Sequence, residues 1–477
     1  MRRSATLTTL ALALLLVPNA LAQGDPPPGN WDPAPGVPGI DGSVFAAAAG
    51  PDGSIYVGGT FTLAGGEPVN HVARWDGAAW IPLGEGVGAG AQTPIVYALS
   101  VGPDGALYAG GLFTTAGGQE ANRIARWDGE AWSPLGAGVA GSDFPSVRAL
   151  AWDASGALYA AGSFTTAGGA PAANIARWDG EAWSPLGAGL GANTTALVFD
   201  GDGALYAGGR FTTAGGTPAV RVARWDGEAW SALGSGIAGG LLANVFALAV
   251  ATDGTLYVGG SFTTAGGSPA ANVAQWDGEA WSAVGSGLTG PGANVLALSL
   301  DAGGTLYAGG RFTTSGEASV PRVARWNGEA WASLGAGVAG ESSPAVFAFA
   351  PGSDGGLTVA GVFETVDAEP ANNVARWLPA TTSAEEGLAA DGALALSVSP
   401  NPARERATLR VQLLAPGPAT VTVYDVLGRV AVAPVERLLG EGVQEVGLDL
   451  RSLAPGMYVA RVVRGTETAS VRFTVVR

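Results

Sequence analysis

One motif recurs seven times along this chain, and no other feature restricts its fold as tightly. The unit is clearest over residues 245–287, VFALAVATDGTLYVGGSFTTAGGSPAANVAQWDGEAWSAVGSG. Its Phe returns at Phe61, Phe113, Phe164, Phe211, Phe262, Phe312 and Phe363, at intervals of 47 to 52 residues. Fourteen residues after each Phe stands a Trp: Trp75, Trp127, Trp178, Trp225, Trp276, Trp326 and Trp377. Within the fifth unit the apolar runs 245–250, 256–262, 273–276 and 280–284 read as strands, and residues 263–271 as a loop joining the middle two. Asp253-Gly254 and Asp277-Gly278 mark hairpins, because Gly takes positive φ without a Cβ clash. No apolar stripe at helical spacing exists in the unit, which excludes a helical solenoid. Four antiparallel strands in about 50 residues predict one blade of a β-propeller, and seven units predict seven blades.

Paired glycines (Gly58-Gly59, Gly110-Gly111, Gly208-Gly209, Gly259-Gly260, Gly309-Gly310) interrupt the second strand, the usual mark of a bulge or a close backbone approach. Ala161-Gly162 and Ala360-Gly361 in the third and seventh units imply that one methyl is tolerated. A second Trp follows five residues after the first in six units: Trp80, Trp132, Trp183, Trp230, Trp281 and Trp331. A four-residue turn would set the two rings opposite each other, and a two-residue turn would offset them. Either way, repetition in every unit points to packing between blades rather than ligand stacking. The seventh unit lacks a second Trp, but Trp31 stands ahead of Val44 much as Trp132 stands ahead of Val147. The N-terminal segment is therefore expected to supply the outer strand of the seventh blade and close the ring.

The run LYVGG, then WDG, then Trp, an apolar residue and Gly resembles the kelch motif. The resemblance covers Trp31 to Trp377 and implies a kelch-like or galactose-oxidase-central-domain-like propeller. It does not imply copper oxidase chemistry. That chemistry needs two His ligands and a Cys-linked Tyr, whereas this chain has one His and no Cys. The absence of Cys also removes disulfides and thiolates. A formal charge of −16 argues against a nucleic-acid partner and suits a solubilising acidic surface.

Residues 1–22 read as a signal peptide: Arg2 and Arg3, an apolar run over 7–17, and Ala20-Leu21-Ala22 as the cleavage site. That run is too short for the ~20 residues a membrane span needs, and no transmembrane segment is expected. Residues 23–378 are assigned to the propeller and 379–393 to a linker. Residues 394–477 carry a different period-2 alternation, six or seven strands that predict a small Ig-like β-sandwich. Four features there resemble the type IX secretion sorting domain of Bacteroidota and relatives: Pro400, Asn401 and Pro402; the run with Tyr424, Asp425, Gly428 and Arg429; Gly456 and Tyr458; and a terminal strand. The resemblance implies a translocon and sortase as partners, removal of this domain, and an extracellular or cell-surface product. The alternative to the sorting domain is a generic glycan-binding sandwich, since fold alone does not assign function.

No metal or cofactor is expected, because ligand spacing is missing. Asp200-Gly201-Asp202-Gly203 hints at calcium but occupies an ordinary turn position. The Arg before six of the seven first Trp residues (Arg74, Arg126, Arg177, Arg224, Arg325, Arg376, with Gln275 in the fifth unit) is expected to stack on a Trp or pair with a turn carboxylate. All length variation falls between the second Trp and the next blade, from 11 residues after Trp183 to 16 after Trp80. Variable loops on a rigid scaffold are where binding usually lives. The loop after Trp132 departs most from the repeat, and Asp143, Phe144, Arg148 and Trp152, with His71 from another loop, are the candidate ligand-face residues. The competing reading has Phe144 fill a gap between blades and His71 exposed or hydrogen-bonded. The function expected is noncatalytic binding of a glycan or protein by a monomer, and the alternative is a polysaccharide hydrolase or lyase using carboxylates of that face.

Overall fold

The computed structural model describes residues 29–378 and 395–476, apart from 38, 91, 241, 342, 353, 400–402, 405, 414–416, 426–429, 441, 455 and 465–466. The expected signal peptide and linker lie outside the described residues, as do Pro400, Asn401, Pro402, Gly428 and Arg429. The chain divides into two compact units, Met1–Pro379 and Ala380–Arg477.

In the fifth repeat the strands are Asn244–Val250, Leu256–Ser261, Val273–Trp276 and Trp281–Ala283, hydrogen-bonded in that order. The Asp277 carboxylate accepts the amides of Glu279 and Ala280, and Gly278 sits at φ +100°, so four residues make the turn. Trp276 and Trp281 consequently lie directly opposite each other, ring centres 5.3 Å apart. Residues 263–271 are more than a loop. Thr264–Ala265 and Ser268–Pro269 form a small hairpin whose turn, Gly266-Gly267, has positive φ at both positions. Strands of two residues are too short to show any alternation, and only the Gly-Gly dipeptide announced the turn.

The two glycines of each pair have different duties. A Cβ on Gly259 would meet the Val295 side chain of the next sheet, whereas one on Gly260 would overlap the backbone oxygen of Asn244 in its own sheet. The first contact can give way and the second cannot. Ala accordingly occurs only at the first position, as Ala161 and Ala360, and the second is Gly in all seven repeats.

Seven such four-stranded sheets follow one another, and their innermost strands are neighbours in sequence order around a circle. Val44–Ala49 lies between Ile95–Val101 and Ala345–Pro351, so the first sheet meets the last. Asn30–Asp32 pairs with Val374–Leu378 as the outermost strand of the last sheet, Trp31 against Trp377 at 5.2 Å. Each second Trp donates its indole N–H to a backbone carbonyl of the preceding sheet or the segment leading from it. Trp132 reaches Leu83 at 2.8 Å, Trp183 reaches Leu135 at 2.9 Å, and Trp31 reaches Leu334 at 3.1 Å. This is the closed all-β arrangement of a propeller.

In the second unit, Ala395–Ser399, Arg406–Leu413 and Gly442–Asp449 form one antiparallel sheet. Val430–Leu439, Gly417–Asp425, Gly456–Arg464 and Glu467–Val475 form the other, in that spatial order. Leu409, Val421, Val446, Val462 and Phe473 share one buried core.

Candidate functional site

The first turn of each propeller sheet and its outer hairpin emerge on one face, and the Gly-Gly hairpins and inter-sheet connections on the other. On the tight-turn face the turn aspartates are committed. Asp52 accepts the Ser54 amide and hydroxyl and pairs with Arg74, which holds its pKa down at about 2. Asp104 pairs with Arg126 at 2.9 Å while accepting from Tyr108, and Asp153 pairs with Arg177 at 3.6 Å. In the sixth sheet burial and then Asp301 push the Tyr307 phenol up to about 12. In the first, second, third and seventh sheets the Arg ahead of the first Trp therefore pairs with an Asp of the first turn of its own sheet. Arg126 and Arg177 also stand 6.0 Å from Tyr rings.

The loop face and the axis are built differently. Every innermost strand carries a β-bulge near its start, opposite the second glycine. The residues it leaves unpaired are Phe45, Tyr97, Arg148, Thr195, Phe246, Leu296 and Phe347. A bulge re-aims a side chain. Val44 and Ala46 flank the bulge and are buried among blade side chains, while all seven bulged residues remain half-exposed. Phe45 lies 5.0 Å from Phe347 and 5.8 Å from Tyr97, each on an adjacent sheet, so these rings meet around the axis. The Arg148 guanidinium covers Tyr97 at 4.3 Å, and Arg311 stands 5.9 Å from Phe347. Sequence reasoning singled out Arg148 for its neighbours in the loop and missed the ring it belongs to. The signal was a single column of the repeat, F/Y/R/T/F/L/F, varying between invariantly small or apolar neighbours.

The other candidate residues separate. The loop 141–145 is pinned at both ends: Thr165 donates to the Gly141 carbonyl at 2.5 Å, Ser142 to Ser163 at 3.1 Å, and Arg123 to the Pro145 carbonyl at 3.3 Å. Between the pins Phe144 is 68% exposed and Asp143 is exposed, so Phe144 fills no gap between blades. Leu242, 71% exposed, holds the equivalent position in the fifth repeat. Trp152 lies at the other end of Ser146–Trp152, toward the tight-turn face. Its ring is 4.8 Å from Tyr108 and its N–H donates to Ser100 at 3.0 Å, so it does not join Asp143 and Phe144. His71 is buried, 8% exposed, at φ +72°. It occupies a left-handed position filled elsewhere by Arg123, Asn174, Arg221, Asn272, Arg322 and Asn373, whose side chains tie each sheet to the next connection. Burial lowers its pKa against the opposing pull of the Thr60 backbone and the Asp41 charge. Asp41 and Glu364 line a cavity of about 520 Å³ where the first and last sheets meet. Burial pushes Asp41 up, but hydrogen bonds from Leu63 and Thr62 outweigh it and the carboxyl stays low.

In the second unit Tyr424 is half-buried and Tyr458 buried, its hydroxyl donating to the Ala454 carbonyl at 2.9 Å. Gly456 opens its strand at φ +156°, a conformation other residues rarely take. Asp425 ends the strand Gly417–Asp425. Residues 397–476 match the family described as secretion system C-terminal sorting domain. The chain ends in a type IX secretion sorting tail. A chain bearing this tail is exported across the outer membrane to the cell surface or extracellular space, and the tail implies interaction with the secretion machinery. No helix among the described residues is long and apolar enough to cross a membrane. Residues 50–75, 102–127 and 251–275 match a domain of unknown function (DUF5122) beta-propeller. No curated protein matches the chain. Among solved structures, PorZ, a bacterial surface component of the type-IX secretion system of Porphyromonas gingivalis, is similar at 16% identity and TM-score 0.41, over 89% of this chain. The chain spans 58% of that protein's length. The WD40 beta propeller domain of Doa1 is similar at 15% identity and TM-score 0.45, over 74% of this chain and 98% of that one. Likenesses this distant carry no argument about function.

Proposed function

We propose that the chain is a seven-bladed, kelch-like propeller that binds its ligand noncatalytically on the loop face, delivered by a type IX translocon and sortase of a Bacteroidota-type cell and acting as a monomer. One observation carries the reading. The loop 141–145 is anchored at both ends yet holds Phe144 68% exposed beside an exposed Asp143. An apolar ring held out to water on a fixed loop costs stability, and a partner that covers it recovers that cost. The carboxylates of the opposite face serve as turn clamps, which suits a scaffold.

A hydrolase or lyase is the second reading, supported by Asp41 and Glu364 sharing one cavity on the loop face. Asp41 is held ionised by three donors, a poor arrangement for the proton donor that glycoside cleavage requires. A glycan array run beside a reducing-sugar release assay separates the two. The binding reading expects retention without release, and replacing residues 136–146 by 187–193 should abolish retention with little loss of stability, since shortening a loop changes closure entropy by only about 0.6 kcal/mol per halving. Sugar release that disappears in Asp41→Asn would establish the enzyme instead.

A further inference from the structure

The seven bulged residues form an unequal ring. Over the seventh, first and second sheets it is a continuous aromatic arc, Phe347–Phe45–Tyr97, ending on Arg148 in the third. Among the described residues Arg148 pairs with no carboxylate, and its Nε is buried without a hydrogen-bond partner. Arg311 likewise meets only the Phe347 ring. Arg148 and Arg311 thus bracket the arc, each set against an aromatic ring at one of its ends. The residues just ahead of the bulges add a second observation. Ser146 Oγ, Asn193 Oδ1, Asn244 Oδ1 and Asn294 Oδ1 are buried and unpartnered, one in each of the third to sixth sheets. With Arg148 Nε they make five of the seven such atoms among the described residues, all at the loop-face start of the innermost strands. Polar side chains therefore recur at one register of four successive sheets, and those of Asn193 and Asn294 are half-exposed beside the half-exposed Thr195.

We propose that this axial mouth is the binding site for an acidic saccharide. The class follows from the three kinds of surface present. Guanidinium forks take a carboxylate, an aromatic arc takes the C–H face of a pyranose ring, and the half-exposed Asn193, Thr195 and Asn294 offer polar groups to its hydroxyls. An aromatic carboxylate lacks the hydroxyls, and a neutral sugar lacks the charge. This assignment rests on the loop-face binding reading and places the charged end of the ligand at the axis, inward of Phe144.

Trigalacturonate and its methyl ester, titrated calorimetrically into the full chain, test it. The acid should bind about tenfold more tightly than the ester, the scale of one charge-assisted bidentate pair. Arg148→Met, which keeps the stem over Tyr97, should lose most of that preference, its affinity for the acid falling toward that for the ester. Arg148→Lys should restore it in part, as charge without the fork. Equal affinity for acid and ester, or no binding of either, overturns the axial assignment. So does an Arg148→Met protein that melts earlier yet binds the acid as the parent does, which would make the arc a plug. If trigalacturonate fails while an array ligand still binds and is lost on replacing 136–146, the axial assignment falls alone. If the parent chain retains no ligand at all, the loop-face reading falls with it.

Discussion

The two faces of the propeller are made from the same repeat and spend their charges in opposite ways. On the tight-turn face Asp52, Asp104, Asp153 and Asp354 each hold an Arg of the same sheet, so the same clamp serves four of the seven sheets. At the loop-face end of the axis, the bulged position runs through Phe, Tyr, Arg, Thr and Leu, and Arg148 and Arg311 go without acids. A position that every repeat keeps is one that every blade needs. A position that varies while its backbone geometry stays fixed is free of that need and available to a ligand. The bulge is the device that permits this, because it takes one residue out of the ladder without disturbing the pairs beside it.

The largest effect should come from breaking what every blade shares. Deleting residues 29–36 removes the outer strand of the last sheet, the Trp31 indole bond to Leu334 and the Pro35 carbonyl that accepts from Trp80. The loss should be on the order of the ~3–5 kcal/mol of truncating one large aromatic, since half-buried Trp31 goes and buried Trp377 is uncovered, read as a lowered denaturation midpoint. Phe144→Ser, on the variable face, should leave that midpoint unmoved. Equal midpoints for the deletion and the parent would remove the ring-closure account.

A finer cut divides the glycine pair. Gly260→Ala drives a methyl into the Asn244 backbone oxygen and should cost more than about 3 kcal/mol, beyond ordinary overpacking. Gly259→Ala meets only side chains, those of Val295 and Leu298, and should cost about 1–2 kcal/mol, because repacking can absorb it. Chemical denaturation of both decides it, and the reverse order would mean that contact between sheets, not the bulge, fixes the position.

Most of the fold was legible because the repeat multiplies each weak local signal by seven. The Trp at 31 exposed the ring closure by its spacing to Val44, and the four-residue turns followed once Asp277 was seen to clamp two amides. The site was less legible, for reasons of geometry. Trp152 and Phe144 are eight residues apart in sequence but belong to opposite ends of a strand, so proximity along the chain misled. His71 reads as a lone polar loop residue, yet its positive φ makes it one of a structural set. The axial ring is a relation among seven strands, visible only after the repeats are laid over one another and the varying column is followed around the circle.

The smallest effect belongs to the clamps of the tight-turn face. Asp52 is held at about 2, through Ser54 first and Arg74 after it, below the ordinary carboxylate value near 3.9. A depressed folded pKa gives stability that is fully present above the unfolded value and lost as the pH falls through the folded one, so the clamp should release between about pH 4 and pH 2. About half of the Asp52 side chain is exposed, 52%, and solvent screening keeps the contribution of such a pair below about 1 kcal/mol. Thermal melts across that window should show the parent losing slightly more stability on acidification than Asp52→Asn, with the two curves converging near pH 2. Arg148→Met should track the parent throughout, because no carboxylate pairs with Arg148 among the described residues. If Arg148→Met flattened the acid limb as Asp52→Asn does, the axis would hold a structural ion pair after all, and the contrast between the two faces would be lost.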